Sequence, residues 1–278
     1  MSAPTSDAHA PASDREVRRA ILARDLGAVR RSPAMLLPMV ALPTFLLVLL
    51  PMSIGFAART RSLRIEAFVE LLPEKLADPI MARPPQERLI VLVLEYLVAP
   101  LFLIVPMMVS AVLAADTFAG EKERRTLETL LHLPIRDRDL YLAKLAGAFI
   151  PATAVSWVGF AIFCVVSNAI CWPVMQRIFL PTGLWLIVII WLAPAVAALG
   201  LGIMVRVSIR VNNSQEAQQL GGAVVLPFVV LTVGQTTGLL LAGPPVALSV
   251  GAVVWAIALV LNVRGARAYS RERMASRL

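Results

Sequence analysis

The chain has 278 residues, of which 58% are hydrophobic and only 16% are charged, and its mean hydropathy is +0.77. Soluble domains are nearer to 25% charged, so the composition argues against a soluble globular protein and indicates a membrane protein. The net charge of +8 does not indicate a nucleic-acid partner, because the basic residues cluster at the ends of apolar runs rather than on one face of a soluble fold.

The N-terminal segment divides into two parts. Residues 1–13 are small, polar and proline-containing, which predicts a disordered tail. Between residues 14 and 31 apolar residues recur at helical spacing among arginines. This pattern predicts a basic amphipathic helix that lies at a membrane surface, and an ordinary solvated helix is the alternative.

Six apolar segments follow, each long enough to cross a bilayer at about 20 residues. The predicted spans are residues 34–56, 89–115, 145–171, 184–205, 220–241 and 245–263. Prolines in the first two spans predict kinks. Between these spans Pro73, Pro79, Pro84 and Pro85 are expected to break up the polar segment, and residues 65–76 predict a short amphipathic helix on the outer surface. The predicted fold is an all-α integral membrane protein with one transmembrane domain, residues 14–263, and a basic tail, residues 264–278.

The distribution of basic residues predicts the orientation in the membrane. With six spans both termini lie on one side, and 19 of the 26 lysines and arginines fall on that side. The remaining seven lie in the loops on the opposite side. The positive-inside rule therefore predicts cytoplasmic termini and a cytoplasmic loop between the second and third spans.

Motifs for chemistry within the chain are missing. The sequence has no phosphate-binding loop, no metal-binding cluster and no catalytic pair, so it predicts no cofactor, no metal site and no catalytic residue. Cys164 and Cys171 are two helical turns apart, too far to form a disulfide. Glu95 is the only ionisable residue well inside a span. Such an acid is a functional candidate, and the alternatives are an interfacial acid or a proton relay.

The stretch from Asp116 to Lys144 is the longest charged run between two spans. Its leucines at 127, 130 and 131 form one apolar stripe, while Glu121 and Arg125 form a favourable pair four residues apart. Pro134 ends this helix, and the aspartates at 137 and 139 favour the start of the next one. The pattern predicts a charged helix that projects from the cytoplasmic face with an apolar stripe available for packing.

These residues resemble the first cytoplasmic loop of ABC transporter type-2 permeases, the exporter-type membrane subunits. The positions that carry the resemblance are Asp116, Gly120, Glu121, Arg124, Thr126, Leu127, Glu128, Leu130, Leu131, Pro134 and Lys144. The six-span layout and the interfacial helix are also similar to that family. The second cytoplasmic loop, with residues 215–218, looks like the sodium-exporter-like branch.

The resemblance implies a transport subunit of the bacterial inner membrane without catalytic activity of its own. A separate ATP-binding subunit would hold ATP and Mg, and a second permease protomer would complete the transporter, with a homodimer favoured over a heterodimer. The coupling helix that receives the ATPase would comprise Gly120, Glu121, Arg124, Arg125, Thr126, Leu127, Glu128, Leu130, Leu131 and Pro134. Membrane lipid is the remaining partner.

Three other functions agree less well with the sequence. An ion-coupled secondary transporter or channel would need several ionisable groups in the spans, and the spans contain one. An intramembrane enzyme would need a catalytic pair, and a scaffold has no distinguishing pattern. Polar side chains within the spans, such as Thr153, Ser156, Ser167 and Asn168, would line a pathway between two protomers. Such a pathway suits an amphiphile, a lipid-linked molecule or a peptide at least as well as an ion.

Overall fold

A computed structural model describes residues 40–60, 65, 69, 74–120, 137–211, 213, 215–220 and 244–268. Within these ranges the secondary structure is helical and no β-strand occurs. The helices are α1 (Val40–Thr60), α2 (Glu74–Met81), α3 (Pro85–Gly120), α4 (Asp137–Met175), α5 (residues 183–210), α6 (residues 215–220) and α7 (Pro244–Ala268).

Several predicted elements lie outside the described residues. They are the N-terminal tail and amphipathic helix, most of the 65–76 helix, the charged helix after Gly120, most of the fifth span and the tail after Ala268. Five described helices, α1, α3, α4, α5 and α7, are long and apolar enough to cross a membrane. Each overlaps one predicted span, and the fifth predicted span, residues 220–241, stays a prediction.

Some helices extend beyond the predicted spans, because hydropathy marks only the apolar middle of a helix. The third span was predicted from residue 145 to 171, whereas α4 runs from Asp137 to Met175 and continues through Pro173. Pro79, which was expected to break the outer segment, lies inside α2. A proline removes one helical hydrogen bond, but here the remaining bonds carry the helix past it. Helix α4 ends where Gln176 adopts a left-handed φ of 49°.

The prolines coincide with widened helical turns. Three π-helical stretches, Phe45–Leu49, Val91–Leu97 and Val188–Leu192, each end two or three residues before a proline. Helix α3 is also interrupted by a turn at Leu103. A proline leaves a carbonyl on the preceding turn without its donor, and a π turn is one way for a helix to accommodate this. The distortion of the helices beside these prolines therefore takes the form of local π turns.

Helices α3 and α5 form the centre of the described bundle. In each, 67% of the most apolar window is buried, compared with 28% in α1, 28% in α4 and 22% in α7. Helix α5 packs most extensively against α3 on one side and α7 on the other, while α4 contacts α1, α3 and α5. The three less buried helices therefore present broad apolar faces outwards, as expected for helices that meet lipid or a second protomer.

A glycine allows α3 and α5 to approach closely. A Cβ atom at Gly200 would lie 2.5 Å from the hydroxyl oxygen of Ser110 and 3.1 Å from the backbone oxygen of Met107. The Ser110 hydroxyl is bonded to the Met107 carbonyl within its own helix, at 2.9 Å. Small residues at such crossings bring two backbones into van der Waals contact, which is a main source of helix association in membranes.

An aromatic cluster joins α3, α4 and α5. Trp185 is fully buried, and its ring centroid lies 4.9 Å from that of Phe163, 5.3 Å from Phe160 and 5.7 Å from Phe102. Its indole Nε1 donates to the backbone oxygen of Leu94 at 3.2 Å. The rings pack against one another and the indole N–H has a hydrogen-bond acceptor, so this cluster fixes the relative positions of the three helices.

Candidate coupling site

The charged stretch is anchored by two helix ends, which we call the loop roots: residues 116–120 at the end of α3 and 137–144 at the start of α4. Of the predicted coupling residues the structure describes Gly120, which is buried at the end of α3. The others, Glu121, Arg124, Arg125, Thr126, Leu127, Glu128, Leu130, Leu131 and Pro134, lie outside the described residues. On the other side of the charged stretch, the described part of α4 begins at Asp137, one of the two aspartates that the sequence predicts near the start of this helix.

The loop roots pack directly on each other through Phe118. Its ring centroid lies 5.9 Å from that of Tyr141, and the ammonium nitrogen of Lys144 lies 5.5 Å from the same centroid. Both distances fall in the range of favourable aromatic and cation–π contacts. The two ends of the charged stretch are therefore held together at its base.

Lys144 is the most unusual residue of the loop roots because its side chain is fully buried. Asp116, in the last turn of α3, is 8% exposed. Both residues have interaction partners within the chain. A buried ammonium is costly unless it is paired, so the site is built to hold a charge where an apolar residue would be the simpler choice.

Gly120 ends α3 in close contact with Asp116. A Cβ atom at this position would lie 2.8 Å from Oδ1 of Asp116, so a larger residue would displace the carboxylate. The π-helical turn Asp116–Gly120 contains the last described residues of α3, and all five of them are buried.

Tyr141 connects the loop roots to the last helix. Its hydroxyl donates to the backbone oxygen of Asn262 at 3.3 Å, and a Cβ atom at Gly265 would lie only 2.4 Å from the hydroxyl oxygen. The hydroxyl thus occupies the space that the missing side chain of Gly265 leaves. The start of α4 is therefore joined to α7 by a hydrogen bond and a direct steric contact.

From α7 the contacts continue into the central helix α5. The amide nitrogen of Asn262 donates to the backbone oxygen of Ala198 at 2.8 Å. The guanidinium of Arg206 donates to the backbone oxygen of Leu261 at 2.9 Å and to that of Gly202 at 2.8 Å. Side-chain bonds to backbone oxygens of a neighbouring helix keep α5 and α7 in fixed register.

Glu95, the predicted intramembrane acid, is remote from the loop roots. It lies in the π-helical stretch Val91–Leu97, half-buried and within electrostatic range of Arg83 and Arg177. Twenty-five helical residues separate it from Gly120, or about 35–40 Å along the axis. The structure therefore does not bring Glu95 together with the coupling residues. Nearby, Arg177 forms an ion pair with the buried carboxylate of Glu87, joining the start of α3 to the α4–α5 loop.

Two polar residues of α4, Ser156 and Asn168, form hydrogen bonds within the chain. Asn168 holds the α4–α5 loop: its amide oxygen accepts from the backbone nitrogens of Phe179 and Leu180 at 2.9 and 3.3 Å, and its amide nitrogen donates to the backbone oxygen of Leu180 at 2.8 Å. Ser156 is buried and bonds to Ala152 of its own helix. Cys164 and Cys171 are free thiols, as their spacing predicted. No metal-binding group of three or more His, Cys, Asp or Glu occurs among the described residues.

Sequence reasoning missed the contribution of Tyr141, Asn262 and Gly265. Lys144 had been placed within the resemblance, but its complete burial was not anticipated. The available signal was a lone lysine between the charged first turn of α4 and the uncharged residues 145–176. No feature of the sequence predicts the contact between Tyr141 and Gly265, because it joins residues more than a hundred positions apart.

A family model described as "ABC-2 family transporter protein" matches residues 19–261 of the chain. The matched region contains both loop roots and all the predicted coupling residues, together with the five described spans except the last residues of α7. No curated protein and no solved structure matches the chain.

Proposed function

Since the chain belongs to the ABC-2 transporter family, we propose that it is the permease subunit of an exporter that a separate ATP-binding subunit drives. ABC-2 permeases generally pair with such a subunit. Within the family, residues 215–218 favour the sodium-exporter-like branch. We assign the chain no catalytic activity of its own, and we place ATP and Mg in the partner.

The observation that carries the proposal is the packing of the loop roots. Phe118 lies against both Tyr141 and Lys144, so the end of α3 and the start of α4 are in direct contact below the charged stretch. A force applied to residues 121–136 would therefore displace α3 and α4 together. Through Tyr141 it would also reach α7.

In this mechanism the coupling helix, Gly120 to Pro134, sits in a groove of the ATPase. Its charges select the partner and its leucine stripe supplies affinity. ATP binding brings two ATPases together, the coupling helices follow, and two permease protomers rock between inward- and outward-facing states. We place the chain in the bacterial inner membrane with both termini in the cytoplasm, and we favour a homodimer.

The test is co-expression with an ATP-binding subunit, followed by purification through a tag on the permease. We expect a complex whose ATPase activity rises on reconstitution into liposomes. Leu127→Asp places a charge in the stripe and should dissociate the partner, while Glu121→Ala should weaken ATPase stimulation. Glu216→Ala, the same change in the other polar segment, is the matched control and should retain the complex.

Membrane insertion separates the possible explanations. If Leu127→Asp inserts normally but loses the ATPase, residues 121–131 are a docking helix. If it fails to insert, the stretch is only a topology signal and the coupling proposal is wrong.

The second candidate function is an ion-coupled secondary transporter, and one observation favours it. Glu95 is half-buried within a span and lies in a π-helical stretch, and such stretches are frequent at functional sites. Transport by the purified chain in liposomes without any ATPase would establish this function. Glu95→Gln should then abolish transport, whereas in an ATP-driven exporter it should leave ATPase stimulation intact.

A further inference from the structure

A cavity of about 490 Å³ lies between the start of α4 and the end of α7. Helix α4 contributes Arg138, Leu142 and Leu145, and α7 contributes Leu259, Val263 and Arg267, among others. On α4 these residues are spaced by four and three, and on α7 by four and four. Each set therefore lies along one helical face, and the two faces form the walls of a groove.

The two arginines lie at the same end of this groove. Arg138 is the second residue of α4 and Arg267 the second-last residue of α7. The helices run antiparallel there, since the Tyr141 hydroxyl bonds to the Asn262 carbonyl and packs against Gly265. The groove thus has a cationic end and an aliphatic part that extends for about 10 Å towards the middle of the span.

Neither arginine is neutralised within the described part of the chain. Both side chains are exposed, and no carboxylate there forms an ion pair with either of them. Asp139, the adjacent acid, is half-buried and has its own partner. The aliphatic walls are also open, with Leu142, Leu259 and Val263 between 43% and 56% exposed. The surface therefore combines two free cations with uncovered apolar area.

We propose that this groove binds one anionic phospholipid of the adjoining leaflet. Arg138 and Arg267 would hold the phosphate, since guanidinium groups bind phosphate through several charge-assisted hydrogen bonds. Leu142, Leu145, Leu259 and Val263 would line one acyl chain. Basic pockets between transmembrane helices are suited to anionic headgroups for these reasons. The proposal depends on the proposed orientation only in naming the leaflet as cytoplasmic.

A second cavity of about 420 Å³ on the other side of α7 offers a weaker site. It also contains two arginines, Arg206 and Arg210. The guanidinium of Arg206 is already bonded to two backbone oxygens, those of Gly202 and Leu261. Only Arg210 is left there for a headgroup, so the charge complementarity favours the groove between α4 and α7.

Native mass spectrometry of the full chain in detergent tests the proposal. The protein is titrated with phosphatidylglycerol and, separately, with phosphatidylcholine of the same acyl chains. We expect a preference for phosphatidylglycerol that Arg138→Gln/Arg267→Gln reduces about 25-fold, or about five-fold for each arginine near a membrane surface. The control Arg83→Gln/Arg264→Gln makes the same change in charge outside the groove and should alter the affinity less than two-fold.

Three results would overturn the proposal. One is equal binding of the two lipids, and another is an equal loss in the groove and control variants, which would indicate general surface charge. The third is displacement of phosphatidylglycerol by millimolar inorganic phosphate, which would indicate an anion site without a lipid chain. Both arginines are exposed, so the variants should fold, and size-exclusion chromatography verifies this. Co-purification of an ATPase with the same variants separates failure of the lipid proposal from failure of the proposed function.

Discussion

The hydroxyl of Tyr141 lies over Gly265, and the space between them has no room for a methyl group. A Cβ atom at Gly265 would be 2.4 Å from the hydroxyl oxygen and 3.3 Å from the ring carbon that bears it. The same hydroxyl bonds to the Asn262 carbonyl. One side chain therefore sets both the distance and the register between the start of α4 and the end of α7.

The first prediction concerns this pair. Gly265→Ala should destabilise the protein by about 1–3 kcal/mol, because the methyl group overpacks the contact. Tyr141→Phe removes the hydroxyl and should cost about 1 kcal/mol through the lost hydrogen bond. The double variant should be more stable than the sum of the two losses predicts, since phenylalanine relieves the clash. Thermal unfolding in detergent measures this, and strictly additive losses would contradict the contact.

The second prediction concerns Lys144 and Phe118. Lys144→Met keeps the length of the side chain but removes its charge, and Phe118→Leu removes the aromatic face. A double-mutant cycle should give a coupling energy of about 1–2 kcal/mol, the size of a desolvated cation–π contact. Stimulation of the partner ATPase, assayed in the same variants, should fall with each single change. A coupling energy of zero would mean that groups other than Phe118 stabilise the charge of Lys144.

The third prediction concerns the ion pair between Glu87 and Arg177. The side chain of Glu87 is 10% exposed and that of Arg177 is 47% exposed. If the ion pair is broken, water can therefore solvate the arginine far better than the carboxylate. Arg177→Gln leaves a buried carboxylate and should cost about 1–3 kcal/mol. Glu87→Gln leaves a hydrated arginine and should cost less than about 1 kcal/mol. Melting temperatures of the two variants give the comparison, and equal shifts would contradict the asymmetry.

The fourth prediction uses the native cysteines. Cys171 is buried and Cys164 is half-buried inside a membrane-spanning helix, so a charged maleimide should label neither in intact vesicles. Ser13→Cys and Ser276→Cys should then be labelled from the cytoplasmic side alone. Labelling of either position from the outer side would overturn the proposed orientation. The unmodified chain serves as the blank.

The sequence alone was sufficient for the class of fold. A lipid environment requires long apolar segments however the helices pack, so composition and segment length reveal this class directly. The sequence also predicted that a helix follows Pro134, favoured by the charge of Asp137 or Asp139, and both aspartates belong to α4. It failed at Pro79 and Pro173, because whether a helix continues past a proline depends on contacts elsewhere. It also failed at Tyr141 and Gly265, whose partnership exists only after α4 and α7 have packed.

The π-helical stretch Val91–Leu97 has a consequence for how the chain tolerates changes in length. Each residue of an α-helix turns the chain by about 100°, so deleting one residue from a regular span would rotate everything beyond it to another face. A π turn contains one residue more than an α turn. A single deletion within Val91–Leu97 would therefore convert the stretch to α-helix and leave Phe102 and Phe118 facing their present neighbours. The same deletion between Ile104 and Ala115 would turn the end of α3 away from α4.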